Sequence, residues 1–144
     1  MTFKGSLEDR ISIYELQNKY CDAVTRHHEL DYISCWHPNG VWEKFKQSFN
    51  GRDAIAAEFH NIMVNRNGSL KSGDIISMTS TPGFLEIECN SGRGRTYTHE
   101  VSESDGGYVT TLYGRYDDTY LQDAGKWLFL SRKFSVINSY SRHL

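Results

Sequence analysis

Between residues 6 and 26 the apolar positions recur every three or four residues, with Leu7, Ile11 and Tyr14 on one line and Ile13, Leu16, Tyr20 and Val24 on the next. That spacing puts them on one face of an α-helix. Ser6 followed three residues later by Asp9 supplies a start signal, a variant of the capping box. The pattern therefore predicts one long amphipathic helix ending near Arg26. A second, short helix is expected over about 30–36, offering Leu30, Ile33 and Trp36 to the same core. His37-Pro38-Asn39-Gly40 should then break the chain, because proline disfavours helix at the preceding residue and Asn-Gly suits a turn. A strand over 41–45 follows, and Gly51-Arg52-Asp53-Ala54 opens a third helix carrying Ile55, Phe59, Ile62 and Met63 on one face.

Beyond Gly73 the signals change to β-branched and aromatic runs separated by turn clusters. Strands are expected at about 74–79, 84–89, 93–103, 107–120 and 126–139, joined by Pro82-Gly83, Asn90-Ser91-Gly92, Asp105-Gly106-Gly107 and Asp123-Ala124-Gly125. Helices first and long hairpins afterwards is an α+β order. The two longest strands call for a strongly curved antiparallel sheet, with Gly94 and Gly114 available for bends. Three N-terminal helices against such a sheet give a cone-shaped fold around an apolar pocket, where a ligand would sit.

Composition narrows the class. A chain of 144 residues suits a single domain spanning 1–144. A net charge of -2 provides no basic surplus for nucleic acid. The N-terminus lacks an apolar leader and no run reaches membrane-spanning length, so a cytoplasmic protein with no membrane partner is expected. Cys21, Cys35 and Cys89 are widely spaced and read as buried or half-buried thiols. The histidines lack the spacing of a metal site, so neither metal nor cofactor is expected.

Four stretches, LEDRISIYELQNKYCDAV, WHPNGVW, GRDAIAAEF and GRYDDTYLQDAGKWLFLSRK, resemble in order and spacing the SnoaL-like, scytalone dehydratase-like branch of the nuclear transport factor 2-like superfamily. The resemblance covers nearly the whole chain and implies a shared scaffold hosting several reactions. In the dehydratase branch an Asp follows a helix-1 Tyr by five residues and a His lies on a central strand. Tyr20 matches that Tyr, while Thr25 stands at the Asp position and Ser77 or Ser80 at the His position.

Strand parity set by the same alignment turns Trp42 and Lys44, Thr98 and Glu100, Tyr116, and Arg132 and Phe134 towards the pocket. Lys44 and Glu100 are ionisable groups on partly dry strand faces, and with Tyr20 they form the candidate catalytic set: Glu100 as base, Lys44 stabilising oxyanion charge, Tyr20 assisting the leaving group. The same Lys and Glu also read as a salt bridge near the rim, and Tyr20 as core. Trp36, Trp42, Phe59, Met63, Tyr116 and Phe134 are expected to wall the pocket, Thr25, Ser77 and Thr98 to add polar contacts, and Arg132 to receive an anion or pair with Asp117-Asp118.

The resulting expectation is a cofactor-independent lyase or isomerase. It would eliminate water or a small carbonyl fragment such as formaldehyde from an aromatic or polycyclic hydroxylated small molecule. The alternative is a noncatalytic ligand-binding module or the small subunit of a ring-hydroxylating dioxygenase. Tyr113 and Phe129 are expected on the open sheet face, which suggests a homodimer or homotrimer through it.

Overall fold

The computed structural model describes residues 2–67, 74–104 and 106–143. The element order is β1 (Phe3–Lys4), α1 (Leu7–Arg26), α2 (Glu29–Ser34), β2 (Trp36–Lys44), β3 (Gln47–Asn50), α3 (Arg52–Asn67), β4 (Asp74–Glu88), β5 (Ser91–Glu103), β6 (Tyr108–Asp123) and β7 (Lys126–His143). The seven strands form one sheet in the order β1-β4-β5-β6-β7-β2-β3. It is mixed rather than wholly antiparallel, since β1 runs parallel to β4 and β2 parallel to β7.

Helix α1 starts as its sequence dictates. The Ser6 hydroxyl accepts from the Asp9 amide at 3.1 Å, a cap worth about 1 kcal/mol. The helix ends where His27 takes a left-handed conformation, φ 55°. Ile13, Leu16, Tyr20 and Val24 are buried as expected, whereas Leu7 and Ile11 of the other predicted line are exposed, and α1 packs chiefly on β4. Helix α2 turns differently from expectation, because Leu30 is 79% exposed whereas Tyr32 is fully buried. A six-residue helix is under two turns, so the stacking of Tyr32 on Phe59 at 3.8 Å, not its own periodicity, sets the face it buries.

Two breaks expected from local signals are bulges instead. His37-Pro38-Asn39-Gly40 lies inside β2, where the register with β7 shifts between Trp36 and Val41. Pro38 is tolerated there because a bulge asks for no ladder hydrogen bond from it. Pro82-Gly83 likewise sits within the single strand β4, at a register shift against β5. A further shift, between Thr119 and Tyr120 against β7, skips Leu130 in the ladder. One extra residue reverses the parity between the two sides of the bulge, so Arg132 points inward as expected while Phe129, expected on the open face, is also fully buried. Asp105, in the expected 105–107 turn, lies outside the described residues. Cys21 and Cys35 are buried, whereas Cys89 is exposed in the β4–β5 turn.

Candidate functional site

Between α1, α2 and α3 on one side and the inner faces of β2 and β4 to β7 on the other lies a cavity of about 130 Å³. Tyr20, Lys44, Glu100, Trp42, Phe59, Met63, Tyr116 and Phe134 line it, as the sequence suggested, joined by Val24, Tyr32, Phe45, Ile62, Met78 and Leu112. The remaining candidates lie elsewhere. The Thr25 hydroxyl donates to the Cys21 carbonyl at 2.8 Å and accepts the Met78 amide at 3.0 Å, tying α1 to β4. Trp36 is fully buried beneath Trp42 and Phe129. A register shift between Ile75 and Ser77 sets Met78, not Ser77, opposite inward-facing Glu100. Thr98 is packed against Gly114. None of these, nor Arg132, belongs to the cavity lining.

Arg132 lies behind the wall. Its guanidinium carbon is 3.7 Å from the ring centroid of Tyr116, 4.1 Å from Phe129 and 4.4 Å from Tyr20. Its Nε donates to Asp118 at 2.7 Å, and Nη2 donates to Asp118 at 3.1 Å and to Thr96 at 3.0 Å. Asp118 also accepts from Thr96 and Tyr120, and Tyr120 accepts from Gln17. Every member of this buried network has a partner, which a low-dielectric interior requires. Burial raises the Asp118 carboxyl's affinity for a proton, opposed chiefly by Arg132, whose own pKa is raised by that pairing.

Above this floor the hydroxyls of Tyr32, Tyr20 and Tyr116 form a chain, each link 3.1 Å. Burial lifts all three phenols well above their ordinary pKa, with Arg132 pulling against it. They are neutral donors near neutral pH. Three hydroxyl protons serve two links, so one remains for a further acceptor. Opposite them Lys44 Nζ sits 4.6 Å from the Trp42 ring centroid and 3.6 Å from Glu58 of α3. Glu100 is near enough to oppose ionisation of Tyr116. Sequence reasoning missed Tyr32 and Glu58. The only signal for Tyr32 was its i, i+4 relation to Trp36, and for Glu58 its place beside Phe59.

Arg115 pairs with Asp117 at 3.2 Å. Among the described residues no cluster of three or more His, Cys, Asp or Glu is placed to hold a metal ion, and no helix is long and apolar enough to cross a membrane.

The sequence profile of the SnoaL-like domain matches residues 5–133. A protein from Novosphingobium aromaticivorans with the provisional name scytalone dehydratase superposes with a TM-score of 0.75 at 16% identity, covering 96% of this chain and 90% of that one. Hexachlorocyclohexane dehydrochlorinase LinA-type3 from Novosphingobium barchaimii gives 0.74 at 15% identity over 96% and 94%. A ketosteroid isomerase-like protein from Erwinia carotovora gives 0.76 at 16% over 92% and 99%. No curated protein matches the sequence.

Proposed function

The chain belongs to the SnoaL-like family, and from that premise we propose that it is a cofactor-independent lyase or isomerase acting on a small ring compound that carries oxygen. The observation behind this reading is the juxtaposition, in one cavity, of a neutral phenol chain with Glu100 and Lys44. Tyr116 or Tyr32 donates its spare proton to a substrate oxygen, and Tyr20 holds both in line. In the loss of water or a carbonyl-linked proton shift Glu100 takes a proton from carbon. In the loss of formaldehyde it takes the hydroxymethyl O–H proton as the C–C bond breaks, and the ring carbon is then reprotonated by the Glu100 acid. Lys44, paired with Glu58, balances the negative charge that develops. Elimination of water or of formaldehyde, or a carbonyl-linked proton shift, needs no more than these placed groups in a dry space.

The volume bounds the substrate. An apolar cavity of about 150 Å³ accommodates benzene, so about 130 Å³ encloses one six-membered ring. A polycyclic ligand would leave its further rings at the mouth.

The test is turnover of hydroxylated one-ring and two-ring ketones, followed by mass spectrometry for loss of water or formaldehyde or for isomerised product. Wild-type turnover that vanishes in Glu100→Gln, with an unchanged Tm, supports the reading. Equal turnover in both proteins, or none by the wild type on any panel member, defeats it.

Thr25 favours a second reading. With its hydroxyl committed to Cys21 and Met78, the position that carries Asp in the dehydratase branch serves structure here. A noncatalytic binding module, or a small subunit for a ring-hydroxylating partner, would bind phenols in the cavity without changing them.

A further inference from the structure

Two-residue hairpin loops match the twist of their strands by taking positive φ at both central positions, and they therefore favour Asn-Gly. The loop between β2 and β3 has Phe45 and Lys46 in those places, at φ 49° and 63°, closed by the pairing of Lys44 with Gln47. A left-handed conformation is a genuine outlier for a bulky residue, and strain of this kind gathers at ligand clamps. The Phe45 ring stands edge-on to Phe134, with centroids 5.9 Å apart and planes at 71°. It nevertheless stays 65% exposed, so contact with Phe134 leaves most of it uncovered.

The cavity wall is graded in exposure. Tyr20, Tyr32, Trp42, Phe59 and Tyr116 are buried, Ile62, Leu112 and Phe134 are half-buried, and Phe45 alone is exposed among the described lining residues. The Phe45 ring is thus the part of the wall that divides the cavity from solvent. Lys44, Phe45 and Phe134 also line a neighbouring groove of about 330 Å³. The two aromatic rings are therefore the partition between cavity and groove.

We propose that Phe45 determines the ring count of the ligand: it covers a single ring seated against the phenol chain and bars a fused second ring from the groove beyond. The inference rests on the reading of the cavity as a site for a ring compound, whether or not that compound is turned over. Behind Phe45, about 130 Å³ holds one six-membered ring. A bound ring would cover the exposed side of Phe45 and replace water there with an aromatic contact, a use for the strained turn that the core does not supply. Taking the Phe45 ring away joins the cavity to the groove, and the joined space admits a fused pair of rings.

The experiment is calorimetric titration of phenol and of 2-naphthol into the full chain, with Tm measured for each protein. In Phe45→Ala the ratio of 2-naphthol to phenol association constants should rise about tenfold over wild type, phenol losing its cover and 2-naphthol gaining the groove. Phe45→Tyr keeps the ring and should keep the wild-type ratio. Phe45→Asn combined with Lys46→Gly installs the residues the turn prefers. It should match or exceed the wild-type Tm and still show the Phe45→Ala ratio. A residue that served packing alone would lower Tm on removal and leave the ratio unmoved, and that result overturns the proposal. If wild type binds neither compound, the proposal falls together with the reading of the cavity. Binding by wild type with the same ratio in the variants that lack the ring overturns the role of Phe45 alone.

Discussion

The guanidinium of Arg132 lies flat enough against Tyr116 to bring its central carbon within 3.7 Å of the ring centroid, while its nitrogens grip Asp118. A buried cation thus backs the phenol wall without reaching the cavity. This divides the polar interior into a structural layer, Arg132, Asp118, Thr96 and Tyr120, and a ligand-facing layer of Tyr20, Tyr32 and Tyr116.

Arg132→Met should therefore act on stability first. It strands Asp118, fully buried, without its counter-charge, and breaking such a pair costs about 3–5 kcal/mol. Urea unfolding measures the loss, and adding Asp118→Asn should recover part of it. A loss under about 1 kcal/mol would contradict the pairing described.

Thr25 offers a sharp contrast between tie and ligand. Thr25→Val leaves the Met78 amide without its acceptor, a loss of about 1–3 kcal/mol, while Thr25→Ser keeps the bond. Phenol affinity measured by calorimetry should be unchanged in Thr25→Ser. A large fall in affinity with stability intact would return Thr25 to the binding site.

Gly114 is a matter of space. A Cβ there would stand 2.3 Å from Phe134 Cε2 and 2.7 Å from Thr98 Oγ1. Gly114→Ala should push the Phe134 ring towards the cavity, costing about 1–3 kcal/mol from overpacking and weakening one-ring ligands. Gly114→Ala combined with Phe134→Leu should regain both, as thermal shifts with and without phenol would show.

Alkaline pH should unfold the protein through its buried acids. Burial pushes the Cys35 thiol up to about 11 from 9.0 and lifts the phenols of Tyr20, Tyr32, Tyr116 and Tyr120 above 10.0. Above pH 9 the unfolded chain gives up the Cys35 proton that the folded chain keeps, so stability falls as pH rises. The phenols add a steeper fall above pH 10. Below pH 9 these groups should leave stability flat. Denaturant midpoints from pH 7 to 11 check this, and Cys35→Ala should lessen the first part of the decline, the buried Cys21 thiol, raised likewise, supplying the remainder.

Periodicity and turn signals were enough to define α1, the core stripe of α3 and the extents of the last three strands, because each spans several repeats of its own pattern. The Ser6–Asp9 cap is equally local. From that much, the cone and eight of its lining side chains, Tyr20, Lys44 and Glu100 among them, could be read from sequence. The family resemblance set the strand parity that placed them.

What only the tertiary structure decided lies where two segments must agree. A bulge is a property of a pair of strands, so the shifts at Ile75/Ser77 and Thr119/Tyr120 were invisible in either strand alone. They moved Ser77 away from the cavity side of the sheet and Phe129 into the core. Tyr32 joined the phenol chain because Phe59 and Tyr20 approach it from distant positions, and Lys44 of β2 found Glu58 of α3 for the same reason. Sequence fixes the extents of long elements through repetition, whereas the third dimension selects which short or bulged segments meet, because those choices carry no period of their own.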